Sequence, residues 1–353
     1  MLRNRTFVAV AVAVCAAYIG IGLVGPVRIL YAESRGASLA IISAMTSAFL
    51  LANFAAQYPS GWLADRWGRK RLMVAGLLAQ AILSLAYVFI SDPTVFVALR
   101  FVEGVAAATV LPSARALIAD VVVPEQRGKA YGVFGAFFNA GFLIGPALGG
   151  LLATTGYASA FVGAVACRLL ALAIVVVMVP HSVAGSTVAE RGGSAARLRA
   201  LFRLPLAGAY VLAFGDYLYL GFDLALMPLW MHDHLGASVA VIGLAYVTWA
   251  APSILLSPAG GRAADRSRRS RLILVFGLAQ VPLYFVYGLA SSAWLIVGLF
   301  AVHAVVYSFM QPAVDAHVAS ASAADARARV QGIYATVGVL GAFAGANALT
   351  PLY

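Results

Sequence analysis

Long apolar runs separated by short polar segments dominate the chain, without the strict alternation of a half-buried strand. A helix that spans a bilayer takes about 20 predominantly apolar residues, and most runs reach that length. The pattern therefore predicts an all-α polytopic membrane protein. The eleven runs cover residues 7–30, 39–58, 72–90, 94–114, 130–152, 157–179, 206–231, 239–259, 272–290, 294–312 and 330–352.

Composition excludes most other classes of protein. Hydrophobic residues make up 63% of the 353 residues and charged residues 10%. Soluble domains average about 45–50% apolar and about 25% charged residues, so neither a soluble enzyme nor a disordered chain fits. No metalloprotease, P-loop or nucleophile motif occurs. We therefore expect no enzyme, no metal and no cofactor, and an ion or proton gradient as the driving force.

The basic residues predict the orientation in the membrane. With the N-terminus in the cytoplasm, 20 of the 24 Lys and Arg residues fall on the cytoplasmic side. Arg28 and Arg35 fall outside, and Arg100 and Arg168 fall within spans. Cytoplasmic loops of membrane proteins carry an excess of Lys and Arg. The net charge of +11 is therefore explained by membrane topology, and we expect no nucleic-acid partner.

An internal repeat with an offset of 200 residues predicts two bundles of the same topology. Asp65-Arg66 recurs as Asp265-Arg266, and the register holds without a gap over a hundred positions. The predicted domains are a six-helix bundle over residues 1–179, a cytoplasmic linker over 180–205 and a five-helix bundle over 206–353. The counterpart of the sixth run is absent, so we expect the twelfth helix to be missing, by nature or by truncation.

The loop after the second run reads GWLADRWGRKR from Gly61 to Arg71 and resembles the signature loop of the major facilitator superfamily. The resemblance implies two pseudo-symmetric helical bundles and a latch on the cytoplasmic side, with the Arg and Lys side chains in the cytosol. It also implies that an acid after the fourth span contacts the loop arginine. The candidate gating residues are Gly61, Asp65, Arg66, Gly68, Arg69 and Asp120.

The fourth run carries Arg100 and Glu103 in a sequence that resembles the superfamily's R-x-x-q-G motif. Ionisable residues within a membrane are costly and usually have a function or a partner. Because the two residues are three apart, they share one helix face. Two interpretations stay open, namely a proton-responsive pair and a structural ion pair.

The fifth run resembles the g-x-x-x-G-P-x-x-G-G motif, which within the superfamily marks drug:proton antiporters and related exporters. Its residues here are Gly141, Gly145, Pro146 and Gly149. Small residues at this spacing let two helices approach closely, and proline kinks the helix.

Further ionisable residues fall in the seventh and tenth runs. Asp216 and Asp223 share a face, and His303 occupies the repeat position of Glu103. These four and Arg100 are the proton-coupling candidates, although His303 also fits a hydrogen-bonded core histidine and Asp223 an outer vestibule. The resemblance implies that helices one, four, seven and ten line a central cavity. The candidates for that cavity are Tyr18, Phe137, Phe138, Asn139, Tyr217, Tyr219, Trp249 and Tyr307.

These patterns predict a monomeric secondary transporter in the cell membrane, with its N-terminus in the cytoplasm, that exports small lipophilic or cationic compounds in exchange for protons. Because no cation neighbours Asp216 in its run, we expect it to bind either a proton or a cationic substrate. The alternatives are a proton-coupled transporter of a specific metabolite and a truncated membrane protein that does not transport. The expected partners are the lipid bilayer, a small-molecule substrate and protons.

Overall fold

The computed structural model describes residues 4–122, 127–180, 204–321 and 327–348, and within them every regular element is an α-helix. The helices are α1 Arg5–Ser34, α2 Leu39–Trp67, α3 Arg69–Phe89, α4 Pro93–Val121, α5 Arg127–Ala153, α6 Tyr157–Met178, α7 Leu204–Ala225, α8 Met227–Asp233, α9 Val239–Arg266, α10 Arg269–Gly288, α11 Ala293–Ala321 and α12 Arg327–Ala348. The all-α prediction is confirmed.

Nine helices in the described ranges are long and apolar enough to cross a membrane, and a bent pair brings the number to as many as ten. The pair is α7 with α8, which meet at an angle of 48°. The sequence predicted one span there, over residues 206–231, and the structure shows a bend within that stretch. Pro228 lies in the first turn of α8, and proline disfavours a helical conformation in the residue before it. The eleventh run corresponds to α12, and within the described residues its apolar stretch covers Thr336–Ala348.

The chain divides into two compact units. The first consists of Met1–Val188 with Ser238–Gly243, and the second of Ala189–Ala237 with Leu244–Tyr353. The predicted linker, residues 180–205, lies outside the described residues except at its ends.

In the first unit α1 packs against α5 and α6, α2 packs against α4, and α3 packs against both α4 and α6. A β-carbon added at Gly145 of α5 would lie 2.6 Å from the Cα atom of Gly22 in α1. One added at Gly141 would lie 2.6 Å from Cβ of Tyr18. The backbones of α1 and α5 therefore touch along the glycine motif, as small residues at this spacing allow.

The second unit repeats the contact between the first and fifth helices. Its helix α7 packs against α12, and added β-carbons at Gly341 and Gly345 would collide with the backbone of Phe214 and Leu218. These glycines lie 200 residues after Gly141 and Gly145, so the repeat in sequence is also a repeat in helix contacts.

Two helix junctions in the first unit are tight. Gly68 joins α2 to α3 with a φ of +92°, a conformation that residues with a β-carbon rarely adopt. Asp92 caps the N-terminus of α4 and accepts hydrogen bonds from the hydroxyl and the backbone N–H of Thr94. These bonds lower the pKa of the Asp92 carboxyl.

Candidate functional site

The signature loop forms the junction of α2 with α3. Arg69, the first residue of α3, forms an ion pair with Asp120 near the end of α4. The contact implied by the resemblance is therefore present, whereas its gating role stays a prediction. Arg66 is exposed, and the surroundings of Gly61 and Asp65 lie outside what the structure describes.

Lys70 departs from the expectation that the basic side chains of this loop stay in the cytosol. It is 8% exposed, and its Nζ atom donates hydrogen bonds to the carbonyls of Val176, at 2.8 Å, and of Val179. The last carbonyls of a helix have no partner within that helix. Lys70 therefore caps the C-terminus of α6 and ties it to α3.

Glu103 is buried and is surrounded by three arginines, of which Arg28 and Arg168 are buried and Arg100 is partly buried. We call these four residues the arginine cluster. Its Oε1 atom accepts a hydrogen bond from Arg28 at 3.0 Å and lies 3.5 Å from Nη2 of Arg168. Its Oε2 atom accepts from Nη1 of Arg100 at 2.9 Å. Side chains of three helices, α1, α4 and α6, thus meet around one carboxylate.

The sequence interpretation missed two members of this cluster. Arg28 was expected on the outer side, but α1 continues to Ser34, so Arg28 lies more than one turn inside the helix and is buried. Arg168 had no assigned partner, and it is fully buried beside Glu103. Arg100 does contact Glu103, as its position predicted, but it is one of three arginines that do.

The surroundings of the cluster are aromatic and weakly polar. The Arg28 guanidinium lies 5.5 Å from the ring centre of Tyr87, and that of Arg100 lies 3.9 Å from the ring centre of Phe49. Arg168 donates a hydrogen bond to Ser84. Glu103 neutralises arginines from three helices, and loss of its charge would leave all of them in an apolar setting. This geometry favours the structural ion pair over the proton-responsive pair.

The two carboxylates of α7 have hydroxyl partners on different helices. Asp216 accepts a hydrogen bond from Tyr284 of α10 at 3.4 Å. Asp223 accepts from Tyr246 of α9 at 3.4 Å and is 8% exposed. Within the described residues no basic side chain lies within 4.0 Å of either carboxylate. Asp216 and Asp223 therefore belong to two separate hydrogen-bonded groups, although they share a face of α7.

His303 is the centre of what we call the aromatic cluster: Tyr219, Tyr284, Tyr287 and His303. Its Nδ1 atom lies 3.2 Å from the Tyr287 hydroxyl, and its Nε2 atom lies 3.5 Å from the Gln280 amide nitrogen. The Tyr219 ring centre lies 5.0 to 5.4 Å from those of Tyr284, Tyr287 and His303. The hydrogen-bonded core histidine is therefore present, and Tyr284 links it to Asp216.

The aromatic cavity candidates are divided between the two units. Tyr18 of α1 lies 4.3 Å from Phe138 of α5, ring centre to ring centre, and Phe142, which sequence reasoning missed, joins them at 5.1 Å. In the second unit Trp249 lies 5.8 Å from Tyr307. The other candidates are half-buried or exposed: Phe137, Asn139 and Tyr217. That these residues line a substrate cavity stays a prediction.

Comparison with known proteins supplies the family. The model of the Major Facilitator Superfamily matches residues 10–346. The chain is 31% identical over 162 residues to the quinolone resistance protein NorA of Staphylococcus aureus (strain MRSA252), which covers 46% of this chain and 42% of NorA. The match thus spans less than half the length of this curated relative.

Solved structures agree with the fold. A bacterial homologue of the human lysosomal transporter Spinster, inward-facing and unoccupied, superposes with a TM-score of 0.80 at 16% identity, over 98% of this chain and 81% of that one. The nucleoside transporter NupG superposes with a TM-score of 0.80 at 13% identity, over 98% and 91%. At these identities the structures support the helical architecture alone. Because the family model matches nearly the whole chain, this multi-pass membrane protein belongs to the Major Facilitator Superfamily.

Proposed function

We propose that the protein exports small lipophilic cations across the cell membrane in exchange for protons. The observation that carries this proposal is Asp216, a partly buried carboxylate whose hydrogen-bond partner is the neutral hydroxyl of Tyr284. A carboxylate removed from water is costly unless a positive partner offsets its charge. Asp216 has no such partner among the described side chains, so a proton or a cationic substrate would supply it.

The aromatic cluster supports a cationic substrate. Tyr284 donates its hydroxyl to Asp216 while its ring lies 5.0 Å from that of Tyr219 and 5.5 Å from that of His303. Aromatic faces attract organic cations, with gains of about 0.5–2 kcal/mol that rise as the cation is desolvated. A carboxylate beside several ring faces suits a flat or lipophilic cation better than an anion or a sugar.

Exchange then follows from competition for one carboxylate. A proton that reaches Asp216 cancels the charge that holds the cationic substrate, so the substrate leaves, and loss of the proton restores the binding site. A proton can displace the substrate only if the substrate binds the ionised and the protonated protein with different affinity. The negative charge on ionised Asp216 supplies that difference for a cation. The Arg100–Glu103 pair would remain ionised throughout as part of the arginine cluster.

Two further findings support export. NorA is named for quinolone resistance, which is what removal of a drug from a cell produces. The glycine motif of α5 resembles that of drug:proton antiporters, and it is the surface along which α1 and α5 touch. We propose a cytoplasmic N-terminus from the distribution of basic residues, and a monomer as the working unit.

The test is efflux of a cationic dye from proteoliposomes that contain the full chain, driven by an imposed pH gradient. We expect wild type to transport the dye and Asp216→Asn to lose the response to the gradient. Tyr284→Phe keeps the ring and removes the hydroxyl, so it should alter the pH dependence more than the dye affinity. Asp92→Asn is the matched control, because Asp92 is exposed at the start of α4 and asparagine also caps a helix.

Two results would contradict the proposal. Full gradient-driven efflux by Asp216→Asn would show that proton coupling does not use this carboxylate. Failure of wild type to move any cationic dye, while the same vesicles move a sugar or nucleoside, would favour a metabolite transporter.

A further inference from the structure

The arginine cluster carries more positive than negative charge. Three guanidinium groups surround the single carboxylate of Glu103. In the described part of the chain, no other carboxylate lies within 4.0 Å of these arginines. Two positive charges are therefore uncompensated within membrane-spanning helices, where Arg28 and Arg168 are buried and Arg100 is partly buried.

The hydrogen bonds of the cluster are also incomplete. The Nε atom of Arg28 and the Nε and Nη2 atoms of Arg168 are buried and have no hydrogen-bond partner in the structure, and neither has the hydroxyl of Tyr87. Arg168 is 0% exposed, so water outside the protein does not reach it. Buried donors are almost always satisfied by protein or by a bound species. The cluster thus lacks acceptors as well as negative charge.

These groups lie together. Arg28 and Arg168 both approach the same oxygen of Glu103, at 3.0 and 3.5 Å, so their guanidinium groups are neighbours of like charge. The Arg28 guanidinium lies over the Tyr87 ring. Neighbouring like charges repel strongly where the effective dielectric constant is low. The carboxylate of Glu103 offsets one of them, and the aromatic faces are weaker partners than an ion.

We infer that the arginine cluster binds one small monovalent inorganic anion of the size of chloride, held by Arg28 and Arg168 beside Glu103. Such an anion supplies one of the two missing negative charges, and it accepts hydrogen bonds from the unpaired donors. A larger organic acid does not suit the site, because Arg168 is fully buried and the ring of Tyr87 closes it on one side. The arginine cluster belongs to the first unit and Asp216 to the second, so the inference does not depend on the proposed export of cations.

The test is equilibrium binding of radiolabelled chloride to the purified full chain in detergent, with gluconate as the replacement anion. We expect saturable binding of one chloride per chain. Arg168→Gln removes one positive charge and three donors, and should weaken binding by about tenfold or more. Glu103→Gln removes the competing negative charge and should tighten binding. Arg35→Gln is the matched control, since Arg35 is exposed at the end of α1 and bonds to Ser91.

Competition between anions distinguishes chloride bound at an enclosed site from chloride attracted to the positively charged protein surface. Bromide and nitrate should displace labelled chloride from wild type, whereas gluconate at the same ionic strength should not. Absence of saturable binding by wild type would overturn the inference and assign the unpaired donors to water. Unchanged affinity in Glu103→Gln, or competition by gluconate equal to that by bromide, would overturn it as well. Monodisperse elution on size exclusion identifies folded variants, and the wild-type measurements stand even if Arg168→Gln does not fold.

Discussion

Replacement of Gly145 by alanine should destabilise the first unit, because α1 and α5 touch there through backbone atoms. The added β-carbon would lie 2.6 Å from the Cα atom of Gly22 and 2.7 Å from the carbonyl oxygen of Ile19. Carbon atoms in favourable contact lie about 3.5–4.0 Å apart, so the helices must separate by about 1 Å. Neither contact belongs to a side chain that can rotate away.

The magnitude follows from this separation. A gap of about 0.5–1 Å forfeits a quarter to a half of the dispersion energy of each contact across it. An extra group in a well-packed core lowers the free energy of unfolding by about 1–3 kcal/mol. We expect a loss near the upper value here, because backbone atoms cannot rotate away from the added β-carbon. Alanine regains about 0.5–1 kcal/mol through its lower conformational entropy in the unfolded chain. The net loss should be about 2 kcal/mol.

The assay is reversible unfolding in mixed micelles with increasing sodium dodecyl sulfate, followed by tryptophan fluorescence. Gly135→Ala is the matched control in the same helix, because nothing lies within 4 Å of a β-carbon added at Gly135. We expect the control to be as stable as wild type or slightly more stable. Gly345→Ala should be destabilised like Gly145→Ala, since its β-carbon would meet the backbone of Leu218. If Gly145→Ala and Gly135→Ala unfold at the same free energy, the packing argument is refuted.

Further predictions concern the signature loop and the topology. Arg69→Asp and Asp120→Arg should each lower dye efflux, and their combination should recover it because the ion pair is restored; no recovery would leave the contact without a gating role. Gly68→Val should lower efflux with near-normal membrane insertion on immunoblots, since a φ of +92° strains a side chain, and unchanged efflux would contradict this. Lys70→Met should cost about 1–3 kcal/mol of unfolding free energy by leaving helix-terminal carbonyls unpaired, whereas unaltered stability would argue against the cap. Ala195→Cys in the predicted linker should react with an impermeant maleimide only after permeabilisation; rapid labelling of intact cells would reverse the orientation.

Several features of the fold could be predicted from the sequence alone. The length and apolarity of the runs determine spanning helices, because a backbone in lipid must satisfy its own hydrogen bonds. The glycine motif predicts a close helix contact, since absence of a β-carbon is a property of the residue itself. The 200-residue repeat predicts that Gly341 and Gly345 contact the first helix of their own unit, as Gly141 and Gly145 do, and both pairs of glycines make that contact. The ion pair of Arg69 with Asp120 followed only from resemblance to the family.

The tertiary structure decided which charges meet. Arg28 and Glu103 are 75 residues apart in sequence, and Arg168 lies on a third helix. A sequence indicates that a charge lies within a span, but not the rotation of its helix or the neighbour that this face meets. Those depend on packing against several other helices at once. For the same reason Asp216 and Asp223, on one face of α7, have partners on different helices, and only the assembled bundle places Tyr284 beside one and Tyr246 beside the other.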